Sequence, residues 1–288
     1  MKQPMCAQPT LGFIGAGAMT EALVQGVLAA GWTAPGQIHV TNRSHHGRRA
    51  ALAARFGVRA HPGKGPVLEA CSTIVLAVKP VDMDEVLGEV GPVLRPEHLV
   101  ISVAAGVTLA RLARGLGGHP RLVRAMPNTS CQVRQSATVL AAAPGADKAD
   151  LEVARAVFSA VGQVLTLPEE AIDAVTGLSG CGPAYVYLMI EALAEAGREV
   201  GLPAEVAGSL AAQTVFGASL MALRTGEGPE ALRLRVASPG GATLAGLRTL
   251  EEAGFAAAVR RAVQSASRRA SELGSAPPRR GARVRRHP

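Results

Sequence analysis

Hydrophobic and polar positions follow two rhythms along the first half of the chain. Short apolar runs recur at 11–14, 38–41, 72–78, 99–103 and 121–125, each suited to a strand buried on both faces. Between them, 18–30, 48–56, 83–90 and 109–116 carry apolar residues at helical spacing. This alternation predicts an α/β domain with a parallel sheet covered by helices on both faces. A strand at 136–141 and a helix at 148–160 extend the unit towards a last strand at 164–167. From about 169 the rhythm changes: 183–200, 204–224, 228–235 and 254–273 all read as helices, with no convincing strand among them. Several are apolar nearly all round, which a small solvent-exposed bundle does not tolerate, so they are expected to bury one another across a subunit interface.

Composition narrows the picture. The chain has 288 residues, 48% of them apolar and 18% charged, so a sizeable core is expected and global disorder is excluded. Aromatics are only 3%, too few for a base-stacking nucleic-acid platform. The net charge of +8 is uneven: Arg279, Arg280, Arg283, Arg285 and Arg286 crowd 274–288 with no acid, which leaves 8 − 5 = +3 for the body. No nucleic-acid partner is expected from so weak a charge, and the Pro- and Arg-rich tail is expected to be disordered. Cys6, Cys71, Cys131 and Cys181 form no CxxC pair and have no His at ligand spacing, so free thiols and no metal site are expected. The N-terminus lacks the apolar core of a signal peptide. The uncharged stretch 206–223 contains Gln213, Thr214, two serines and two glycines, and reads as a buried helix rather than a membrane span. A soluble, cytoplasmic protein is the expectation.

The first motif, Gly15-Ala16-Gly17-Ala18-Met19, lies directly after the first strand and before the first helix. A dinucleotide pyrophosphate needs free N–H groups at a helix N-terminus and a backbone without Cβ where it approaches. Gly15 suits the tight turn and Gly17 the close approach, while Thr20 stands at the third position, where Gly or Ala is usual. A tight structural turn is the competing reading. At the end of the second strand, Asn42, Arg43 and Ser44 follow with no acid to meet a ribose 2′-hydroxyl, and His45, His46, Arg48 and Arg49 add positive charge. That sign favours a 2′-phosphate and hence NADPH, with NADH the weaker alternative. A solvated basic loop competes.

Ala77-Val78-Lys79-Pro80 and Val103-Ala104-Ala105 end later strands, where ligands of open α/β sheets lie. Met126-Pro127-Asn128 has the same address. In the helical half, 176–185 (TGLSGCGPAY) and Ser238-Pro239-Gly240-Gly241-Ala242-Thr243 offer hydroxyls and free N–H groups at helix starts, enough for a ligand with one carboxylate. Close-packed helix ends are the alternative. No His occurs between His119 and His287, and no Lys after Lys148. A hydroxyacid dehydrogenase needs a base to take the alcohol proton. Hydride addition to a protonated C=N bond needs none.

Together GFIGAGAM, AVKP, SVAAG, MPN, TGLSGCGPAY and SPGGATLAGL, in that order, resemble the Δ1-pyrroline-5-carboxylate reductase family from about Leu11 to Leu273. The resemblance implies a Rossmann-like, doubly wound, mostly parallel sheet in 1–168, an all-helical dimerisation and substrate domain in 169–273, and leaves 274–288 as the basic tail. It implies NADPH-dependent reduction of pyrroline-5-carboxylate to L-proline in a homodimer, often assembled into a decamer. By position, Ile14 to Met19 would hold the pyrophosphate, Asn42 and Ser44 the ribose phosphate, and Ala77–Pro80 with Val103–Ala105 the nicotinamide side. Glu169, Ala242 and Thr243 would contact the pyrroline ligand, with Ser238, Gly240 and Gly241 near its carboxylate. Thr243 is then the candidate to hydrogen-bond the imine nitrogen. The chain departs from the family at Cys181 (often Ser), near Lys64 (often Asn) and at Leu234 (usually Asp). Arg235 stands where the family has a small polar side chain that can touch the substrate. Competing readings are a related imine reductase, a β-hydroxyacid-dehydrogenase-like enzyme, and a non-catalytic dinucleotide-binding regulator.

Overall fold

A computed structural model of the chain describes residues 9–43 and 46–275. Ser44 and the tail from residue 276 onward lie outside the described residues, as does Cys6. The described chain divides into two compact units: one runs to Gly180 and takes in the chain again from Ala266, the other is Cys181–Ser265.

The first unit is built on one eight-stranded sheet. Its strands are β1 (Leu11–Ile14), β2 (Ile38–Thr41), β3 (Arg59–His61), β4 (Thr73–Leu76), β5 (Leu99–Ser102), β6 (Leu122–Met126), β7 (Ser136–Ala142) and β8 (Gly162–Thr166), in the spatial order 3-2-1-4-5-6-7-8. All neighbours are parallel except β6 and β7. The helices of this unit are α1 (Ala18–Ala29), α2 (His46–Phe56), α3 (Gly65–Ala70), α4 (Met83–Val90), α5 (Leu109–Gly115), α6 (Lys148–Ser159) and α7 (Ile172–Val175). The mostly parallel, doubly wound sheet expected from the alternating pattern is what the chain forms. Strands β1, β2, β4 and β5 are buried at every position, which is why their sequences read as continuous apolar runs.

Side chains alternate between two cores, one on each face of the sheet. Phe13, Leu23, Val40, Ile101 and Phe158 belong to one; Ile14, Leu76, Met83, Leu112 and Ile172 belong to the other. Ile172 is fully buried, so the chain just after residue 169 packs with the sheet. The strand order reverses direction between β1 and β4, and a crevice opens there at the carboxyl ends of the strands.

The second unit is helical: α8 (Gly182–Glu199), α9 (Ala204–Arg224), α10 (Pro229–Val236) and α11 (Ala242–Glu252), followed by α12 (Phe255–Ser275). α12 runs through Ser275, so the two residues assigned from sequence to the start of the tail are helical. Helices α8 and α9 pack as a hairpin, with Gly197 set against Ala207. Little else is covered. α8, α10 and α11 bury no residue, and α9 buries only Ala207 and Ala211. The expectation that 206–223 is a buried helix fails within one chain: Leu210, Phe216 and Leu223 are exposed, and the packing of α9 among the described residues is chiefly against α8. By length and composition alone, α9 also meets the requirement for a membrane-crossing helix.

Candidate functional site

The sheet's switch point gathers the first motif. Gly15 leaves β1 at φ +114°, and a Cβ there would lie 2.3 Å from the Ala77 carbonyl oxygen. Only glycine combines that backbone with that contact. Its N–H donates to Thr41 O at 2.9 Å, so the turn is tied to β2 as well as stacked on the β4 end. Gly17 then caps α1 in an extended conformation, with no side-chain cap, and a Cβ there would meet nothing within 4 Å. The missing Cβ is needed by no neighbour within the chain. It leaves backbone open in front of a helix N-terminus, the arrangement that fits an anionic pyrophosphate. Thr20 explains the imperfect fingerprint: fully buried, its hydroxyl donates to Gly15 O at 2.7 Å and fixes the turn from beneath.

A cleft of about 310 Å³ opens beside this turn, bordered by Ile14, Gly15, Thr41, Asn42, Arg43 and Val78. Of the residues expected from sequence it thus brings together the start of the glycine turn and the end of β2. Lys79 and Pro80 are exposed on the neighbouring loop and do not border it. Val103 and Ala105 are half-buried and Ala104 buried in the β5–α5 loop, which also stands outside the cleft.

The cleft has another wall that sequence reading missed, made by Pro62, Gly63 and Lys64 after β3, by Asp82 just before α4 and by Val86 and Glu89 of α4. Asp82, Glu85 and Glu89 stand at helical spacing on one face, opposite two cations. Arg43 pairs with Glu85 and lies 3.6 Å from Asp82, and Lys64 pairs with Glu89. The Glu85 hydrogen bond raises the Arg43 guanidinium further above its ordinary pKa and lowers the Glu85 carboxyl. Of the basic cluster expected after β2, Arg43 is therefore answered by Asp82 and Glu85. Beneath it, His61 on β3 and His39 on β2 stack at 4.9 Å, with their ring nitrogens 3.0 Å apart. Burial, before any charge, lowers the pKa of both.

Glu169, expected at the pyrroline ligand, turns its Oε1 to the Leu109 N–H at 2.6 Å and to Arg124 Nη1 at 3.1 Å. In the second unit the Ser-Pro-Gly-Gly turn is sharply folded. Gly240 has φ +72°, and a Cβ on Gly241 would lie 2.5 Å from Ser238 Oγ. α11 starts from Gly241 without a side-chain cap, so its first-turn N–H groups are open beside the exposed Ala242 and Thr243. Arg235, at the end of α10, makes two bonds to Glu227 at 2.8 and 3.0 Å. Cys71, Cys131 and Cys181 are free thiols; burial pushes Cys71 up to about 12. Among the described residues no cluster of three or more His, Cys, Asp or Glu forms a metal site.

Comparison with known proteins places these features. Residues 169–273 match the family model described as pyrroline-5-carboxylate reductase dimerisation, and residues 10–106 match that described as NADP oxidoreductase, coenzyme F420-dependent. The pyrroline-5-carboxylate reductase of Synechocystis is 44% identical over 265 residues, 92% of this chain and 98% of that protein. Among solved structures, the pyrroline-5-carboxylate reductase of Coxiella burnetii superposes with a TM-score of 0.87 at 38% identity, covering 94% of this chain and all of that one (100%). The Plasmodium falciparum pyrroline carboxylate reductase, solved with NADP bound, gives 0.84 at 30% identity over 93% of this chain and 98% of its own. With such identity carried along nearly its whole length, this chain belongs to the pyrroline-5-carboxylate reductase family.

Proposed function

We infer that the chain reduces Δ1-pyrroline-5-carboxylate to L-proline with a nicotinamide dinucleotide, NADPH in preference to NADH. The observation that carries the chemistry is the uncapped start of α11 behind Ser-Pro-Gly-Gly, with Thr243 exposed beside it and no His or Lys anywhere in 181–265. Such a site binds a carboxylate and orients a ring without a strong base.

In this reading Ile14 to Met19 hold the pyrophosphate, with Gly17 giving the open backbone and α1 the favourable dipole. Asn42, Arg43 and Ser44 take the ribose 2′-phosphate, which competes with Glu85 for Arg43. Ala77 to Pro80 and Val103 to Ala105 line the nicotinamide side. A bound reduced nicotinamide supplies a hydride to the C=N carbon, and the nitrogen keeps its proton to become the secondary amine. Ser238, Gly240 and Gly241 form the turn around the substrate carboxylate, which takes the open N–H groups at the start of α11 from Ala242 on; the Gly241 N–H itself closes the turn on Ser238 O at 3.0 Å. The Thr243 hydroxyl hydrogen-bonds the ring nitrogen, turning the C=N face to the hydride and retaining the proton. We assign dinucleotide binding to 1–168 and substrate binding with dimerisation to 169–273. The almost coreless 181–265 unit supports self-association, since so much exposed apolar surface on a folded chain marks an interface. We read the assembly as a soluble, cytoplasmic dimer; the match of 169–273 to the dimerisation family model supports a partner copy as what covers that face.

The test is NADPH oxidation with pyrroline-5-carboxylate, run beside NADP⁺ reduction with a β-hydroxyacid. Turnover only with the imine supports the reading; turnover only with the hydroxyacid, or with neither, sinks it. Comparing kcat/KM for NADPH and NADH in the wild type and in Ser44→Asp tests the cofactor. A wild type that favours NADH tenfold, about 1.4 kcal/mol, contradicts the NADPH assignment.

A further inference from the structure

Arg124 stands in β6 with 3% of its surface exposed, a full positive charge among apolar neighbours. Leu122 and Met126, which share its face of the strand, pack with the second core. Two carboxylates answer the charge: Glu169 Oε1 lies 3.1 Å from Nη1, and Asp173 Oδ1 lies 3.5 Å from Nη2. Nη2 makes no hydrogen bond among the described residues. A buried, incompletely bonded ion pair contributes little to stability compared with an apolar side chain of similar volume. Its value is geometric: breaking it leaves an uncompensated charge, so the groups that it joins are held in one arrangement.

What it joins is informative. The Glu169 oxygen that meets Arg124 also accepts the Leu109 N–H at 2.6 Å. Leu109 is the first residue of α5; Thr108 caps the helix by accepting the Arg111 N–H on Oγ1, and Glu169 satisfies a second first-turn donor, the Leu109 N–H. The residues between β5 and α5, 103–108, include Val103 to Ala105, assigned above to the nicotinamide side. Its middle is also braced: a Cβ on Gly106 would lie 3.2 Å from Leu273 Cβ of α12. Glu169 is anchored in turn by the fully buried Ile172, three residues on. A rigid path therefore runs from the sheet through Arg124 and Glu169 to the end of that loop.

We propose that Arg124 and Glu169 are positioning residues that set the 103–108 loop against the nicotinamide half of a bound dinucleotide, the Glu169 carboxylate acting on the loop through its Leu109 bond. The proposal rests on the dinucleotide reading of the first unit. The experiment uses the full chain with Arg124→Lys, Arg124→Met, Glu169→Gln and the Arg124→Met/Glu169→Gln double variant. Calorimetry measures binding of NADPH and of 2′,5′-ADP, which carries only the adenosine half, and hydrogen exchange follows the 103–109 amides. Arg124→Met and Glu169→Gln should each weaken NADPH about tenfold or more and leave 2′,5′-ADP within about twofold. They should also speed exchange at Leu109. Arg124→Lys should recover part of the loss, and the double variant should lose less than the product of the two singles. Should Arg124→Met not fold, Glu169→Gln and Arg124→Lys carry the same comparison. Equal weakening of both ligands, or no change in either, overturns the proposal. So does a raised KM for pyrroline-5-carboxylate in Glu169→Gln with NADPH affinity intact, which would make Glu169 a substrate ligand. A wild type that binds neither nucleotide would instead refute the dinucleotide reading itself.

Discussion

Gly15 and Gly17 stand two residues apart, yet their replacement by alanine should have opposite consequences. At Gly17 a Cβ meets nothing within 4 Å and the backbone is extended at φ −82°, so the fold accepts alanine. Alanine at an N-cap costs up to about 1 kcal/mol relative to a good cap. The stiffer unfolded chain returns about 0.4–1 kcal/mol. The net change in stability is within about 1 kcal/mol, or roughly 2–4 °C in Tm for a unit of this size. The same methyl stands where the pyrophosphate must approach the backbone, so NADPH affinity should fall at least tenfold, about 1.4 kcal/mol. At Gly15 alanine faces φ +114° and a carbonyl oxygen 2.3 Å away, so β1 and β4 must part. Left-handed strain alone costs about 1–3 kcal/mol, and the clash adds to it. Thermal unfolding paired with NADPH calorimetry separates the two. Should Gly17→Ala bind NADPH like wild type, the dinucleotide does not cross this turn. Should it unfold like Gly15→Ala, the openness at Gly17 is misread.

Other outcomes are equally specific. Thr243→Ala should lower kcat/KM for pyrroline-5-carboxylate roughly tenfold to a hundredfold, the loss of a hydrogen bond worth about 1–3 kcal/mol in a desolvated site. NADPH affinity should stay put and Thr243→Ser should recover much activity; an unaffected alanine variant would make the hydroxyl a bystander. Phe216→Glu, on the exposed face of α9, should convert the assembly to a poorly folded monomer in sedimentation, while an intact oligomer would remove α9 from the interface. Burial lowers the pKa of the stacked His39 and His61, so unfolded chains take up protons first as pH falls below the ordinary histidine value of 6.5. Stability should therefore be full above that value and decline as pH drops through it towards the lowered folded values. Tm measured from pH 7.5 to 5.5 checks this: His61→Gln should flatten the decline, and a wild-type Tm that rises on acidification would contradict it.

The sheet was legible because parallel strands buried on both faces must be apolar at every position, as LGFI and its counterparts are. β3 escaped because Arg59-Ala60-His61 is a short edge strand with little buried surface, and α3 after it has only six residues. The glycine turn could be read from local sequence, since Gly15 and Gly17 act through backbone they carry themselves. The acids facing Arg43 could not, because Glu85 arrives from α4, 42 residues away, and no local spacing announces it. The Glu169–Leu109 bond spans 60 residues and is invisible for the same reason. α9 illustrates a different limit. Its apolar sequence shows that something must cover it, and among the described residues of one chain that cover comes chiefly from α8.

The central claim is that hydride passes to the C=N carbon of a pyrroline carboxylate. Its most direct test supplies NADPH deuterated at the transferred position, together with pyrroline-5-carboxylate, and analyses the product by mass spectrometry and chiral chromatography. The expected result is L-proline carrying one deuterium on the ring carbon bonded to nitrogen and remote from the carboxylate. No proline, or proline whose new C–H bond draws its hydrogen from solvent, would contradict the account.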